Sequence, residues 1–311
     1  DQFRSLVLGH TSTIDSYWQL VLADIRGALD VFAPLHQSSD GLDGYVSVEV
    51  DPGLAHDTAG TIEAARHLDT VVARPNLMVK VPATVEGLPA IEQMIAEGRS
   101  INVTLIFSLD RYQRVMDAYV AGLERLAADS EADLSSVASV ASFFISRVDS
   151  EVDRRLDSIG SADALALRGT AAVAQARLAY QAFLRTFSGP RWDALAARGA
   201  RVQRPLWAST STKNPAYPDT LYVDELIGPH TVNTLPDATI DAFADHGTPA
   251  RTIDTPAAVA ESTRTWARLA HVGVDMDDVA AQLEREGVTS FQASFDDLLG
   301  ALSVKAASFR T

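Results

Sequence analysis

The chain contains no cysteine, which excludes a disulfide framework, a thiolate nucleophile, an iron–sulfur cluster and a zinc ribbon. Positive charge is scarce. Twenty-six Lys and Arg stand against 41 Asp and Glu, a net charge of −15. That balance argues against nucleic acid or an anionic membrane as the main partner, although a small phosphorylated ligand needs only a few local cations. Long apolar runs are also missing: the longest are of strand length, far short of the ~20 residues that span a bilayer. The opening DQFRSLVLGH has neither the basic nor the apolar region of a signal peptide. These absences lead to the expectation of a soluble, cytoplasmic protein.

What is present is globular composition, 47% hydrophobic and 22% charged over 311 residues, enough for one large core or two ordinary domains. Ile14, Tyr17, Trp18, Val21, Ile25 and Leu29 recur at helical spacing from about Ser12 to Phe32, behind Thr11 and Ser12 as caps. A turn, SSDGLDG, and a short alternating run, YVSVEVD, follow. From there strand, loop and helix repeat. NLMVKVPA precedes a helix closed by Gly98, and INVTLIF precedes one capped by Ser108. VASVASFFI precedes a long helical region to about Phe187, and RPLWAST and PHTVNTLP are the last strands. Past Gly247 only helices are expected, starting at Thr255-Pro256, Asp275 and Ser294. Alternating strands and helices imply an α/β protein with a parallel sheet. Without a G-x-G-x-x-G or a P-loop, the nucleotide-binding versions lose support.

A parallel strand covered on both faces reads as nearly continuous apolar residues, yet these strands carry polar residues at alternate positions. Ser47, Glu49 and Asp51 oppose Val46, Val48 and Val50; Met78 and Lys80 oppose Leu77, Val79 and Val81. Asn102, Thr104 and Ile106 oppose Val103, Leu105 and Phe107; Ser142 and Phe144 oppose Ala141, Phe143 and Ile145. On the last two, Trp207 and Ser209 oppose Leu206 and Ala208, and Thr231 and Asn233 oppose Val232. In a barrel the apolar set meets the outer helices and the polar set points inward or to the strand ends, where barrel enzymes place their chemistry. The bland reading is that Ser and Thr fill tight layers and that Lys80 and Glu49 form a buried pair. A lysine, a glutamate and an asparagine on three successive strands favour chemistry instead. A strand-borne lysine in a water-poor interior has one common use: desolvation disfavours the ammonium, and the free amine attacks a carbonyl. Glu49 would then move protons through a water rather than by direct pairing.

VSVEVD, NLMVKVPAT, INVTLIFS, SVASFFISRVD, RPLWAST and HTVNTLP, in this order and spacing, resemble transaldolase in its actinobacterial-type branch, from about Asp40 to Gly247. The resemblance implies a TIM-type (β/α)₈ barrel that transfers a dihydroxyacetone unit from a ketose phosphate to an aldose phosphate through a lysine Schiff base. Within it Lys80 matches the Schiff-base lysine, Glu49 the glutamate that holds the catalytic water, and Asn102 and Thr104 residues lining the site. Ser142 and Phe144 match residues that shape the pocket, Arg147 a phosphate-binding arginine, and Ser209 a further site serine. The second phosphate-binding arginine of other branches is missing, and Lys213 could substitute as a point charge. Only six of the eight strands are identifiable. The strand with the proton-transfer aspartate and the strand with a TTNP-like motif are not among them. The expectation is that roughly 40–60 residues lie upstream of Asp1, and that an open or covered flank separates residues 45–50 from 229–234.

The chain is therefore read as one barrel domain over 1–311, with a leading helix over 1–36, a core over 37–250 and terminal helices over 251–311. Alternatives are a fructose-6-phosphate-aldolase-like enzyme and a non-catalytic barrel serving as a scaffold. Sugar phosphates are the expected partners, with no nucleic acid or membrane; a homo-oligomer stays open. No metal, nucleotide or flavin cofactor is expected. Asp149 and Asp153 stand one turn apart, as two metal ligands would, but a solvated helix face is the preferred reading. Asp275, Asp277 and Asp278 read as helix-start charges, His230 as a structural histidine, and Trp18 and Trp266 as core.

Overall fold

The computed structural model describes residues 2–9 and 11–310. Two helices lead in, α1 (Gln2–Leu8) and α2 (Thr13–Ser38), where one leading helix was expected. The Ser12 hydroxyl caps α2 by accepting the Asp15 N–H at 3.1 Å. Rather than ending near Phe32, α2 passes through Pro34 to Ser38. Its fully buried Leu29 anchors the segment, and the Ser39 N–H closes the last turn on Leu35 O.

The alternating part runs β1 (Val46–Glu49), a 3-10 turn (Pro52–Leu54), α3 (Thr58–Val72), β2 (Leu77–Pro82), α4 (Gly87–Ala96), β3 (Ile101–Ile106) and α5 (Leu109–Leu126). After β4 (Ser139–Phe144) come three helices, α6 (Ser146–Ile159), α7 (Ala162–Leu165) and α8 (Ala171–Thr186), then α9 (Pro190–Ala196). β5 (Arg204–Ala208), α10 (Leu221–Asp224), β6 (Val232–Asn233) and α11 (Asp237–His246) complete it. α12 (Pro256–His271) and α13 (Met276–Arg310) follow. Asp275 starts α13 as expected, its carboxylate accepting the Asp277 and Asp278 N–H groups. Ser294 starts nothing, because α13 is one unbroken 35-residue helix. No helix among the described residues is long and apolar enough to cross a membrane.

Among the described residues six strands form one parallel sheet in sequence order, curled into a half-barrel of the (β/α) type. β1 pairs only with β2, and β6 only with β5, so no strand pairing among the described residues closes the flank between residues 45–50 and 229–234. At its lower end the Arg201 guanidinium donates to Gly41 O at 2.6 Å and Asp40 O at 2.8 Å. Arg204 donates to Leu42 O at 2.9 Å and Thr231 O at 3.2 Å. Two arginines thus tie the loop before β1 to the far side of the sheet.

The outward strand residues form the core with the helices. Phe143 packs edge-on against Tyr112 of α5 and against Trp207, with ring centroids 5.7 and 6.3 Å apart. Each such fully buried apolar side chain contributes about 1.5–3 kcal/mol. Three strands depart from simple alternation. On β5, Trp207 faces outward and donates to Leu226 O at 3.1 Å, while Leu206 faces the interior with Val232 of β6. The interior thus carries Ser47, Lys80 and Asn102 beside Met78 and Val140 on β1 to β4, and Arg204, Leu206 and Val232 on β5 and β6. On β3 the pairing register shifts between Val103 and Ile106, and Leu105 takes a φ of 60°. That bulge breaks the shared face expected for Val103, Leu105 and Phe107. Phe107 instead meets Phe144 at 5.0 Å.

Candidate active site

Lys80 sits on β2 directly beside Glu49 of β1 and Asn102 of β3, all three at matching registers. Because the strands are parallel and in register, side chains of one parity converge in the half-barrel. The Lys80 Nζ lies 3.9 Å from Glu49 Oε2, each side chain about a third exposed. This is an electrostatic contact without a hydrogen bond. Burial pushes the Glu49 carboxyl above its ordinary value, and the Lys80 charge opposes that rise without cancelling it.

Asn102 is 6% exposed and bridges two neighbours. Its Nδ2 donates to Ser47 Oγ at 3.0 Å, and its Oδ1 accepts from Ser142 Oγ at 2.7 Å. The amide orientation is thereby fixed from both ends. Ser47, Lys80 and Asn102 line a cavity of about 640 Å³ together with Val140, Leu206 and Thr234. Thr104 is buried two residues beyond Asn102 along β3, opposite Pro82, where the bulge begins.

Further out, Phe144 carries the Arg147 guanidinium over its ring at 5.2 Å. Ser209 has a φ of 58°, which turns the chain out of β5, and its Oγ lies 2.8 Å from Ser146 Oγ. Lys213 does not line the Lys80 cavity itself. It donates to Ser211 Oγ at 2.6 Å and lines a separate cavity of about 310 Å³ with Asp149, Asp153 and Tyr217. Asp149 itself is only 2% exposed, so the expected solvated face does not exist there. No cluster able to hold a metal occurs among the described residues. His230 is exposed and lines the other end of the larger cavity.

Two residues beside the site were not singled out from the sequence. Ser47 shares the parity of Glu49, so its signal was present. Tyr17 of α2 lies close enough to Asp51 and Glu49 that burial, and then these two carboxylates, raise its phenol. Its helical spacing marked it only as core, and it does pack edge-on against Phe295 of α13 at 5.2 Å.

The family model for transaldolase/fructose-6-phosphate aldolase matches residues 2–302. A transaldolase of Acidothermus cellulolyticus is 54% identical over 303 residues, covering 97% of this chain and 81% of that protein. One of Thermobifida fusca is 53% identical over 308 residues, with 99% and 83% covered. One of Mycobacterium ulcerans is 56% identical over 279 residues, with 89% and 74% covered. Identity at this level across nearly the whole chain, on a half-barrel with a strand-borne lysine, places the chain in the transaldolase/fructose-6-phosphate aldolase family.

Proposed function

We propose that this chain is a transaldolase whose covalent chemistry runs through Lys80. The observation that carries the reading is the convergence of Lys80, Glu49 and Asn102 from three neighbouring strands. The other lysines, Lys213 and Lys305, lie on a loop and on the last helix. The Lys80 amine adds to the C2 carbonyl of a ketose phosphate, and loss of water gives an iminium ion. Removal of the C4 hydroxyl proton then breaks the C3–C4 bond. The aldose leaves, and the bonding pair moves into the iminium to give an enamine. The enamine carbon attacks the aldehyde of an acceptor aldose phosphate, and water hydrolyses the new iminium.

Glu49, kept partly desolvated and above its ordinary pKa, suits the proton transfers of water addition and loss. Asn102, locked by Ser47 and Ser142, presents a fixed amide edge to substrate hydroxyls, while Thr104 lines the bond-breaking region. Ser142 and Phe144 shape the wall, and Ser209, Arg147 and Lys213 receive the phosphate. The reading makes this a cytoplasmic enzyme of pentose phosphate metabolism. Borohydride in the presence of fructose 6-phosphate should reduce the sugar onto Lys80, readable as a mass adduct on its peptide. Lys80→Met should lose the adduct and remain folded; an undiminished adduct in that variant would move the chemistry to another residue. Product analysis with and without an aldehyde acceptor then separates transfer from simple release of dihydroxyacetone.

A further inference from the structure

Two carboxylates outside the Lys80 cavity rest on neutral donors. Asp149 Oδ2 accepts from the Tyr222 hydroxyl at 2.7 Å, and its Oδ1 from the Ala172 N–H at 2.8 Å, at the start of α8. Asp153, one turn along α6, accepts from the Tyr217 hydroxyl at 2.5 Å and the Gly169 N–H at 2.9 Å. Neither forms an ion pair among the described residues. A buried carboxylate with no cation is costly. Burial accordingly lifts Asp149 to about 6. In return, hydroxyl-to-carboxylate bonds of this length are about twice as strong as neutral ones and strongly directional.

Both tyrosines belong to the segment that leaves β5. That segment is already fastened to the start of α6 by Ser209, whose carbonyl accepts the Ser146 N–H at 3.0 Å and whose hydroxyl meets that of Ser146. The loop from Ser209 to Tyr222 is therefore strapped along α6 at three points. Ser211 and Lys213 lie between the first two, and Arg147 lies beside the first. Gly169 completes the seat: a Cβ there would stand 2.7 Å from Tyr217 Cζ, so the ring lies flush on bare backbone.

We propose that Asp149 and Asp153 are positioning residues, clasping Tyr222 and Tyr217 so that the loop after β5 presents Lys213 at a fixed spacing from Arg147 on α6. This rests on the reading of Arg147 and Lys213 as the phosphate grip. A stiff loop holds two cations ready for one anion, so their ordering is not charged against binding. A clasp that served stability alone would leave substrate selectivity unchanged.

Tyr217→Phe removes one hydroxyl and keeps the ring on Gly169. With fructose 6-phosphate as donor its KM should rise about 5- to 20-fold while kcat changes less than about twofold, the pattern of lost binding that is equal in ground and transition states. The KM for unphosphorylated fructose should not move. Hydrogen exchange over residues 210–216 should quicken with the rest of the chain unchanged. Asp153→Asn should follow the same pattern more weakly, since its amide oxygen still accepts from Gly169. Arg147→Ala, measured alongside, separates the two ideas. If Arg147→Ala discriminates between the donors and Tyr217→Phe does not, the clasp is overturned and the phosphate grip stands. If Arg147→Ala weakens both donors equally, the grip itself falls, and the clasp's role with it.

Discussion

Glu49 and Asp149 are both carboxyls that burial drives upward, and their surroundings assign them different work. Glu49 faces the Lys80 ammonium at 3.9 Å and keeps about a third of its side chain exposed, so it can exchange protons with water. Glu49→Gln is nearly isosteric, and steady-state assays should show the rate reduced about 10²- to 10⁴-fold. In the unaltered enzyme the acid limb of the kcat/KM profile should lie above the ordinary carboxylate range, and in the variant it should vanish. A variant that unfolds but keeps its rate per folded molecule would instead make the pair structural. Asp149 is closed off from water by Tyr222 and the start of α8. Its folded pKa, about 6 against an ordinary 3.8, means that the folded chain holds a proton the unfolded chain has released. Its contribution to stability therefore falls as pH rises from about 4 to about 6 and is level above that. The rise corresponds to roughly 3 kcal/mol at most. Asp149→Asn lacks this dependence, so urea unfolding should show the variant gaining on the parent between pH 4 and 6. Parallel stability curves over that range would refute the assignment.

At the scale of elements, legibility followed periodicity. The helix caps at Ser12, Ser108 and Thr255 were readable because each hydroxyl has one local job, and each accepts the expected N–H. The polar parity of β1 to β4 was readable because a period of two survives in sequence. The β3 bulge was not, since nothing local in Thr104-Leu105-Ile106 demands a left-handed Leu105. Its side chain is accommodated by α13, where a Cβ at Gly287 would stand 3.0 Å from Leu105 Cδ2. The continuity of α13 through Ser294 was equally hidden, because its support comes from α1, α2 and α6 rather than from its own residues. The clasp has no local sequence signal, because Tyr217 and Tyr222 lie more than sixty residues from Asp149 and Asp153. Close helix contact can be tested at two glycines. At Gly122 of α5 a Cβ would fall 2.7 Å from both Glu92 O and Ile95 Cβ of α4, so Gly122→Ala should cost about 1–3 kcal/mol by forcing the helices apart. At Gly27, mid-helix in α2, nothing lies within 4 Å, and Gly27→Ala should add about 0.5–1 kcal/mol through helix propensity. Thermal unfolding of the pair checks both signs, and equal shifts in one direction would show that helix packing does not decide them.

Across the whole molecule the sheet is graded. β2, β3 and β4 each have neighbours on both sides and nearly uninterrupted burial. Among the described residues β1 has a single neighbour, and β6 contributes two residues to a single neighbour. Strand ends of this kind open at a lower free energy than the centre. The two arginines at the lower end work against that opening, since Arg201 and Arg204 hold carbonyls on the loop before β1, and Arg204 also reaches the segment entering β6. Arg204 is half-buried, and desolvation pulls its pKa below the usual guanidinium range. Native-state hydrogen exchange on the 311-residue chain should show protection highest over residues 77–82, 101–106 and 139–144. It should be intermediate at 46–49 and lowest at 232–233. Arg204→Ala should quicken exchange at 46–49 and 232–233 while leaving the three central strands within about a factor of two. Losing two or three bonds from a charged donor costs a few kcal/mol, which is enough to free the ends without melting the centre. Uniform acceleration across all six strands would mean that the sheet opens only as a unit, and that the arginine ties hold the entire half-barrel rather than its edges.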